Sequence, residues 1–229
     1  GGLRYLEHFE FRLVRESLIE REILLKAMPH ISWPLRFVLP YNRIMRFDMN
    51  TPLSRFLARC FPWIKGRRPA WLIRLGLFLY DHMGARKILP ATRVIDLKKD
   101  ETGNPLNDQF LRAFEYSDCW VEDSRLVVLN ARDAEIRGAT IKTRTRFEGA
   151  RRVGDRWIVD LKDMWSSETY QIQTKAIINC GGPWVGEIIH DRIHEHSSEG
   201  VRLVRGSHIV TKKLFDHDKS YIFQQSDGR

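Results

Sequence analysis

The stretch TIKTRTRFEGARRVGDRWIVDLKDMWSSETYQIQTKAIINCGGPWVGEII, residues 140–189, decides the fold. Its first part alternates with a period of two, the pattern of strands with one buried face. TIKTRTRFEGARR, DRWIVDL and TYQIQT read as consecutive strands of a meander, turning first near Gly154-Asp155 and again around Ser166-Ser167. KAIINC, residues 175–180, reads as a short buried strand. It runs into Gly181, Gly182, Pro183 and Trp184, after which helical spacing holds from about Trp184 to Ile193.

N-terminal to this block, residues 9–28 read as a helix with Val14, Leu18, Leu25 and Met28 on one stripe and Glu22 four before Lys26. Pro29 and Pro34 stop it. Residues 41–69 carry Pro52, Pro62, Gly66 and Pro69 and read as a long loop or short helices, before AWLIRLGLFLYDHMG forms an apolar helix ending near Gly84. Residues 97–110 read as polar and exposed. A further helix fits 123–137, with Asp123 to cap it and Gly138 to end it. VRLVRGSHIV and SYIFQQ read as late strands. Helix, strand, meander, strand, Gly-Gly, helix is the order of half a nucleotide-binding sheet with a β excursion set into it, so the fold class is α/β with an α+β mixture.

With 229 residues, 43% hydrophobic and 29% charged, the chain has material for one or two domains and is no disordered tail. Cys60, Cys119 and Cys180 lie far apart and form no CxxC pair, which speaks against a disulfide framework or structural zinc. No apolar run reaches the ~18 residues of a membrane span. The chain opens on Gly1-Gly2 without methionine, as a fragment or processed product would. The net charge of +9 is concentrated. Residues 35–80 hold nine basic side chains (Arg36, Arg43, Arg46, Arg55, Arg59, Lys65, Arg67, Arg68 and Arg74) against Asp48 alone, a net +8. Phe37, Phe47, Phe56, Phe61, Trp63 and Trp71 interleave with them, a mixture suited to phospholipid or nucleic acid, or to a solvated basic face whose aromatics belong to the core.

Glycines between a strand and a helix let backbone N–H groups approach a bound anion closely. The stretch lacks a full GxGxxG, and GxxxxGK[ST] is absent, so a cofactor turn and a tight packing turn both fit. His190 and His194 lie one helical turn apart with His196 nearby, but no matched carboxylate or cysteine set accompanies them, and a solvated helix end is the reading; no metal is expected.

GGLRYLEHFEFRLVRESLIEREILL, RPAWLIRLGLFLYDHMG, FEYSDCWVEDSRLVVLNA, INCGGPWV and RLVRGSHIV, in this order, closely resemble FAD-dependent glycerol-3-phosphate dehydrogenase of the D-amino-acid-oxidase-like flavoprotein superfamily. The resemblance implies oxidation of sn-glycerol 3-phosphate to dihydroxyacetone phosphate, with electrons passing through FAD to a membrane quinone. It also implies that the family's GxGxxG unit precedes Gly1, so the chain is expected to be an internal fragment that binds little or no FAD by itself. Residues 1–200 would be the central part of the FAD-binding domain, including the basic aromatic segment 35–80, and residues 201–229 the start of a substrate-binding β region.

By the same resemblance Gly1, Gly2 and Leu3 pass the flavin ring, and Arg4 and Tyr5 line the substrate pocket, where a guanidinium suits phosphate. Arg146 and Phe147 pass the adenine side of FAD. Asn179, Cys180, Gly181, Gly182 and Trp184 match the family's cofactor turn, with Cys180 and Gly181 standing where other small residues are usual. His208 matches the active-site histidine, suited to take the hydroxyl proton, and Ser207 orients it. Implied partners are glycerol 3-phosphate, the quinone and an anionic membrane surface, with no nucleic acid and a homodimer as an option. The implied location is cytoplasmic, peripheral on the inner face of the cell membrane. A sister FAD-dependent amine or amino-acid oxidase, and a module binding nucleic acid or anionic surfaces through 35–80, are the alternatives; flavin bleaching and salt-sensitive DNA retention distinguish them.

Overall fold

The computed structural model describes residues 5–6, 8–42, 45, 51–60, 69–84, 86–198, 200–201, 203 and 205–223. The chain divides into two compact units, Gly1–Leu129 with Thr211–Arg229, and Asn130–Val210.

The first unit is organised by β1 (Ser32–Tyr41), which pairs antiparallel with β3 (Arg112–Val121) over all ten positions, from Ser32 opposite Val121 to Tyr41 opposite Arg112. β2 (Arg93–Asp96) pairs antiparallel with β3, and β7 (Ser220–Tyr221) pairs parallel with β1, giving the order β2-β3-β1-β7. The sequence reading ended a helix at Pro29 and Pro34 and missed β1. Val38 accepts a hydrogen bond from Ile222 N at 2.9 Å, so even-numbered residues of β1 turn their backbone groups away from β3. Pro34 and Pro40 fall on that side, where a missing N–H leaves the β1–β3 ladder whole.

One face of this sheet carries Leu39, Phe114 and Tyr116, against which α1 (Phe11–Ala27) sets Val14 and Leu18 and α3 (Ala70–Met83) sets Leu77 and Tyr80. The helices come close where they meet: a Cβ on Gly84 would lie 2.3 Å from Leu18 Cβ. The buried stripe of α1 includes Arg21. Its guanidinium donates to Tyr80 Oη at 3.0 Å, to Ser117 O at 3.1 Å and to Asp118 Oδ1 at 3.4 Å. Burial beside Asp118 pushes the Tyr80 hydroxyl well above its ordinary range. Glu22, read as a partner for Lys26, accepts from the amides of Lys87 and Ile88.

The other face buries Val38, Ile95, Leu97 and Ala113, and beside them a charged cluster. Arg36 Nε donates to Glu115 Oε1 at 2.7 Å, Arg93 Nη2 lies 2.8 Å from Glu115 Oε2, and Lys219 Nζ reaches Glu115, Asp100 and Glu101 at 3.7–3.9 Å. Four separate segments thus meet at one carboxylate. Tyr221 Oη donates to Thr102 O at 2.6 Å and fastens β7 to the loop after β2. That loop is mostly exposed, as expected, but anchors inward at two points: Leu97 and Thr102 are buried, and a Cβ on Gly103 would meet Leu97 O at 1.7 Å. α2 (Pro52–Cys60), a short helix as expected, is capped by Thr51, whose hydroxyl accepts from Ser54 N.

α4 (Asp123–Ile136) runs across the unit boundary and closes as the sequence suggests. Gly138, at φ 97°, and Ala139 donate to the carbonyls of Glu135 and Ala134, a Schellman ending. The second unit holds the expected meander of β4 (Thr145–Val153), β5 (Arg156–Asp163) and β6 (Thr169–Thr174). Gly154 takes φ 62° in the first turn. Two expectations are corrected. Residues 175–180 form no strand, and Ile178 is 86% exposed; an apolar run satisfies its backbone only beside a neighbouring strand, and no described residue supplies one. Nor is there a strand among the described residues of 201–210, and among the described residues of SYIFQQ the two of β7 alone are in a strand.

Burial pushes the Glu115 carboxyl up, but hydrogen bonds from Arg36 and Arg93 outweigh it and hold the group below the usual carboxylate range. Asp100 behaves alike, with Thr102 supplying the bonds that outweigh burial. The unfolded chain therefore takes up protons at a higher pH than the fold does. This stability is complete above the ordinary carboxylate range and is lost as pH falls through the lowered folded values. Thermal unfolding followed from pH 6 to pH 2 is expected to show Tm falling across the acid range, with a shallower fall in Glu115→Gln; identical slopes contradict the cluster's role.

Candidate functional site

The glycine turn is held by one side chain. Asn179 Oδ1 accepts from Gly181 N at 3.0 Å while its Nδ2 donates to Val185 O at 3.2 Å, so the amide spans the turn from end to end. The two glycines serve different needs. A Cβ on Gly181 would lie 2.6 Å from Ile188 Cδ1 and 3.0 Å from Asn179 Oδ1, whereas Gly182 has open space around it and φ 54°, a conformation L-residues rarely adopt. Trp184 N donates to Gly181 O at 3.0 Å, closing a 3₁₀ turn over Gly182–Trp184. α5 (Val185–Glu187) and a π-helical turn (Ile188–Arg192) follow, which matches the expected helix in place though not in regularity. Cys180 is an exposed free thiol, and the Trp184 ring is 64% exposed. Pro183, Trp184, Gly186, Val201 and Leu203 line an open cavity of ≈ 500 Å³ together with Glu187 and His190.

The helical turn after the glycines is tied to the meander. A β-bulge between Phe147 and Gly149 displaces Glu148, whose carboxylate accepts from Arg146 at 2.6 Å and from Arg192 at 3.2 Å. The hydrogen bond from Arg146 is the main reason its carboxyl lies below the usual range. Gly149 lets the strand pass the turn, since a Cβ there would stand 3.0 Å from Arg192 O. Arg146 and half-buried Phe147 thus sit on a strand braced against the helical turn that follows the glycines. Neither Glu148 nor Arg192 was singled out in the sequence; the glycine interrupting the β4 alternation is the signal that marks them.

Gly1, Gly2, Leu3 and Arg4 lie outside the described residues. Tyr5 is described, with its ring exposed beside the buried Leu6. Ser207 and His208 are exposed, and among the described residues no hydrogen bond to His208 occurs, so the histidine is no satisfied core residue on a strand. The described residues contain no group of three or more His, Cys, Asp or Glu placed to hold a metal; His190 Nδ1 lies 3.2 Å from Glu195 O instead. No helix among them is long and apolar enough to cross a membrane. On α3, Leu77 and Tyr80 turn inward, while Trp71 and Phe78 are 56% and 55% exposed beside exposed Leu75 and Arg74. Trp63, Lys65, Arg67 and Arg68 lie outside the described residues.

A family model described as FAD dependent oxidoreductase matches residues 1–229. Among curated proteins, the chain is 51% identical over 229 residues to D-erythritol 1-phosphate dehydrogenase of Brucella abortus (strain 2308), covering 100% of this chain and 41% of that protein. It is 47% identical over 230 residues to glycerol-3-phosphate dehydrogenase of Pseudomonas aeruginosa, covering 100% of this chain and 40% of that protein. The chain therefore spans less than half the length of these relatives. Among solved structures, glycerol-3-phosphate dehydrogenase from Bacillus halodurans, complexed with FAD, aligns with a TM-score of 0.43 and 19% identity over 73% of this chain and 25% of that one.

Proposed function

Because this chain belongs to the FAD-dependent oxidoreductases, we propose that it forms part of an enzyme oxidising a secondary hydroxyl of a short polyol phosphate. The observation that carries this reading is the turn from Asn179 to Trp184, where Gly182 has open space around it and the indole of Trp184 is exposed. That turn fits FAD: the bare backbone at Gly182 and the ring of Trp184 would hold it while Gly181 serves the turn's own packing, and by the resemblance Gly1, Gly2 and Leu3 would pass the flavin and Arg146 and Phe147 the adenine. When bound, FAD supplies the two-electron acceptor that no amino-acid side chain provides.

The chain's own residues bind and deprotonate. Arg4 grips the phosphate with paired N–H donors, and the exposed Tyr5 ring lines the same pocket. His208, solvent-exposed, takes the proton of the hydroxyl as its carbon is oxidised, and Ser207 orients the imidazole. Glycerol 3-phosphate, giving dihydroxyacetone phosphate, is the three-carbon substrate of this class. The 51% relative favours a second reading, D-erythritol 1-phosphate, whose four-carbon chain presents the same phosphate to Arg4. Electrons pass on to a membrane quinone, and the enzyme works at the membrane surface, as a homodimer if copies associate there.

Exposed Trp71, Leu75 and Phe78 on one side of α3, with Arg74 among them, support that surface reading, since indole and phenyl rings enter the interface while the guanidinium meets anionic headgroups. Flotation with vesicles containing phosphatidylserine is expected to drop when Trp71 and Phe78 are both changed to Ser; retention unaffected by the changes and by salt places the anchor elsewhere. In the FAD-loaded enzyme, His208→Asn is expected to lower kcat by about 10²–10⁴ with KM little changed. A variant that keeps its flavin and a near-normal kcat excludes His208 as the base.

A further inference from the structure

The turn that leads into α1 contains a strained residue. Phe9 sits at φ 60°, in the left-handed region where a bulky side chain is an outlier. Such strain persists only when the surroundings hold it. Here the backbone does so. Phe9 N donates to Leu6 O at 3.2 Å, Glu10 N donates to Tyr5 O at 3.2 Å, and Phe11 N donates to Phe9 O at 2.9 Å. Glu10, at φ −79° and ψ 53°, is the centre of an inverse γ-turn whose carbonyl then accepts from Val14 N at 3.0 Å and starts the helix. Three successive donors thus close over residues 5–11 in a reversal that only a left-handed residue at position 9 completes.

Packing does not explain why phenylalanine occupies this position. Its ring is 43% exposed and meets Phe11 at 6.0 Å between centroids. The reversal does have a consequence for its neighbours. Leu6 is buried against Val14 and Leu18, while Tyr5, one residue earlier, stays exposed with its carbonyl tied to Glu10. Leu6 anchors the turn, and Phe9 fixes the direction in which the chain before it leaves the anchor.

We infer that Phe9 is a positioning residue for substrate binding, its left-handed backbone holding the carbonyl of Tyr5 on Glu10 so that the Tyr5 ring stays presented. This rests on Tyr5 lining the substrate pocket. Two variants separate backbone from ring. Val is β-branched and excludes the left-handed region, whereas Asn adopts it readily without an aromatic ring.

In the FAD-loaded enzyme, with glycerol 3-phosphate and D-erythritol 1-phosphate each tested, Phe9→Val is expected to raise KM about tenfold while kcat stays within about threefold, the scale of a lost backbone well. Phe9→Asn is expected to recover most of the lost affinity. Hydrogen exchange at the Glu10 amide reports the turn without reference to any substrate: fast in Phe9→Val, slow in wild type and Phe9→Asn. An amide that keeps its protection in Phe9→Val overturns the positioning role itself. An amide that loosens while KM for both substrates is unchanged overturns the inference by removing Tyr5 from the substrate site, and a joint loss of kcat and flavin reduces Phe9 to a structural residue.

Discussion

The first unit depends on the pairing of β1 with β3. Ten consecutive residue pairs fix which side chains face the helices and which face the charged cluster, and a slip of one residue would exchange the two sets. Both faces then carry a buried ion whose partners come from elsewhere in the chain: Asp118 meets Arg21 from α1, and Glu115 gathers Arg36, Arg93 and Lys219. Buried ion pairs contribute little net stability compared with apolar substitutes, but removing one partner costs about 3–5 kcal/mol because it strands the other. Their effect is therefore to specify the register: Glu115 finds all three cations only when β3 lies where it does.

That dependence explains what was legible in the sequence. The meander, α1, α3 and α4 announce themselves through local periodicity and through Gly138 and Gly154, whose positive φ values match the turns they were read to make. β1 does not, because Pro34 reads as a breaker until it is known that its missing N–H, like that of Pro40, points away from β3. Arg21 sits on the apolar stripe of α1, and a lone cation at a core position is the signal that a buried acid must face it; which acid is a question of tertiary pairing, and no local pattern names Asp118.

For the candidate site, the residue types were legible but their surroundings were not. The glycine turn was read as a place where backbone must be bare, and Gly182 meets that requirement through its φ of 54° and the open space around it. The strand expected before the turn is unpaired among the described residues, since KAIINC encodes burial on both faces and burial needs neighbours. The brace of Glu148 between Arg146 and Arg192 arises from a bulge, a one-residue irregularity that alternation conceals. In the second unit Ala150 and Val159 are the buried apolar residues among those described, so the turn gains its order from hydrogen bonds such as those of Asn179 more than from a core.

The chemistry proposed for this family member requires that a phosphorylated polyol, and not its unphosphorylated parent, deliver electrons to the flavin. The most direct measurement is anaerobic titration of the FAD-loaded enzyme, followed at the oxidised flavin absorbance band. Stoichiometric addition of glycerol 3-phosphate or D-erythritol 1-phosphate is expected to bleach the band, with glycerol and erythritol leaving it intact at the same concentration. Bleaching by amines or amino acids with both polyol phosphates inert would contradict it.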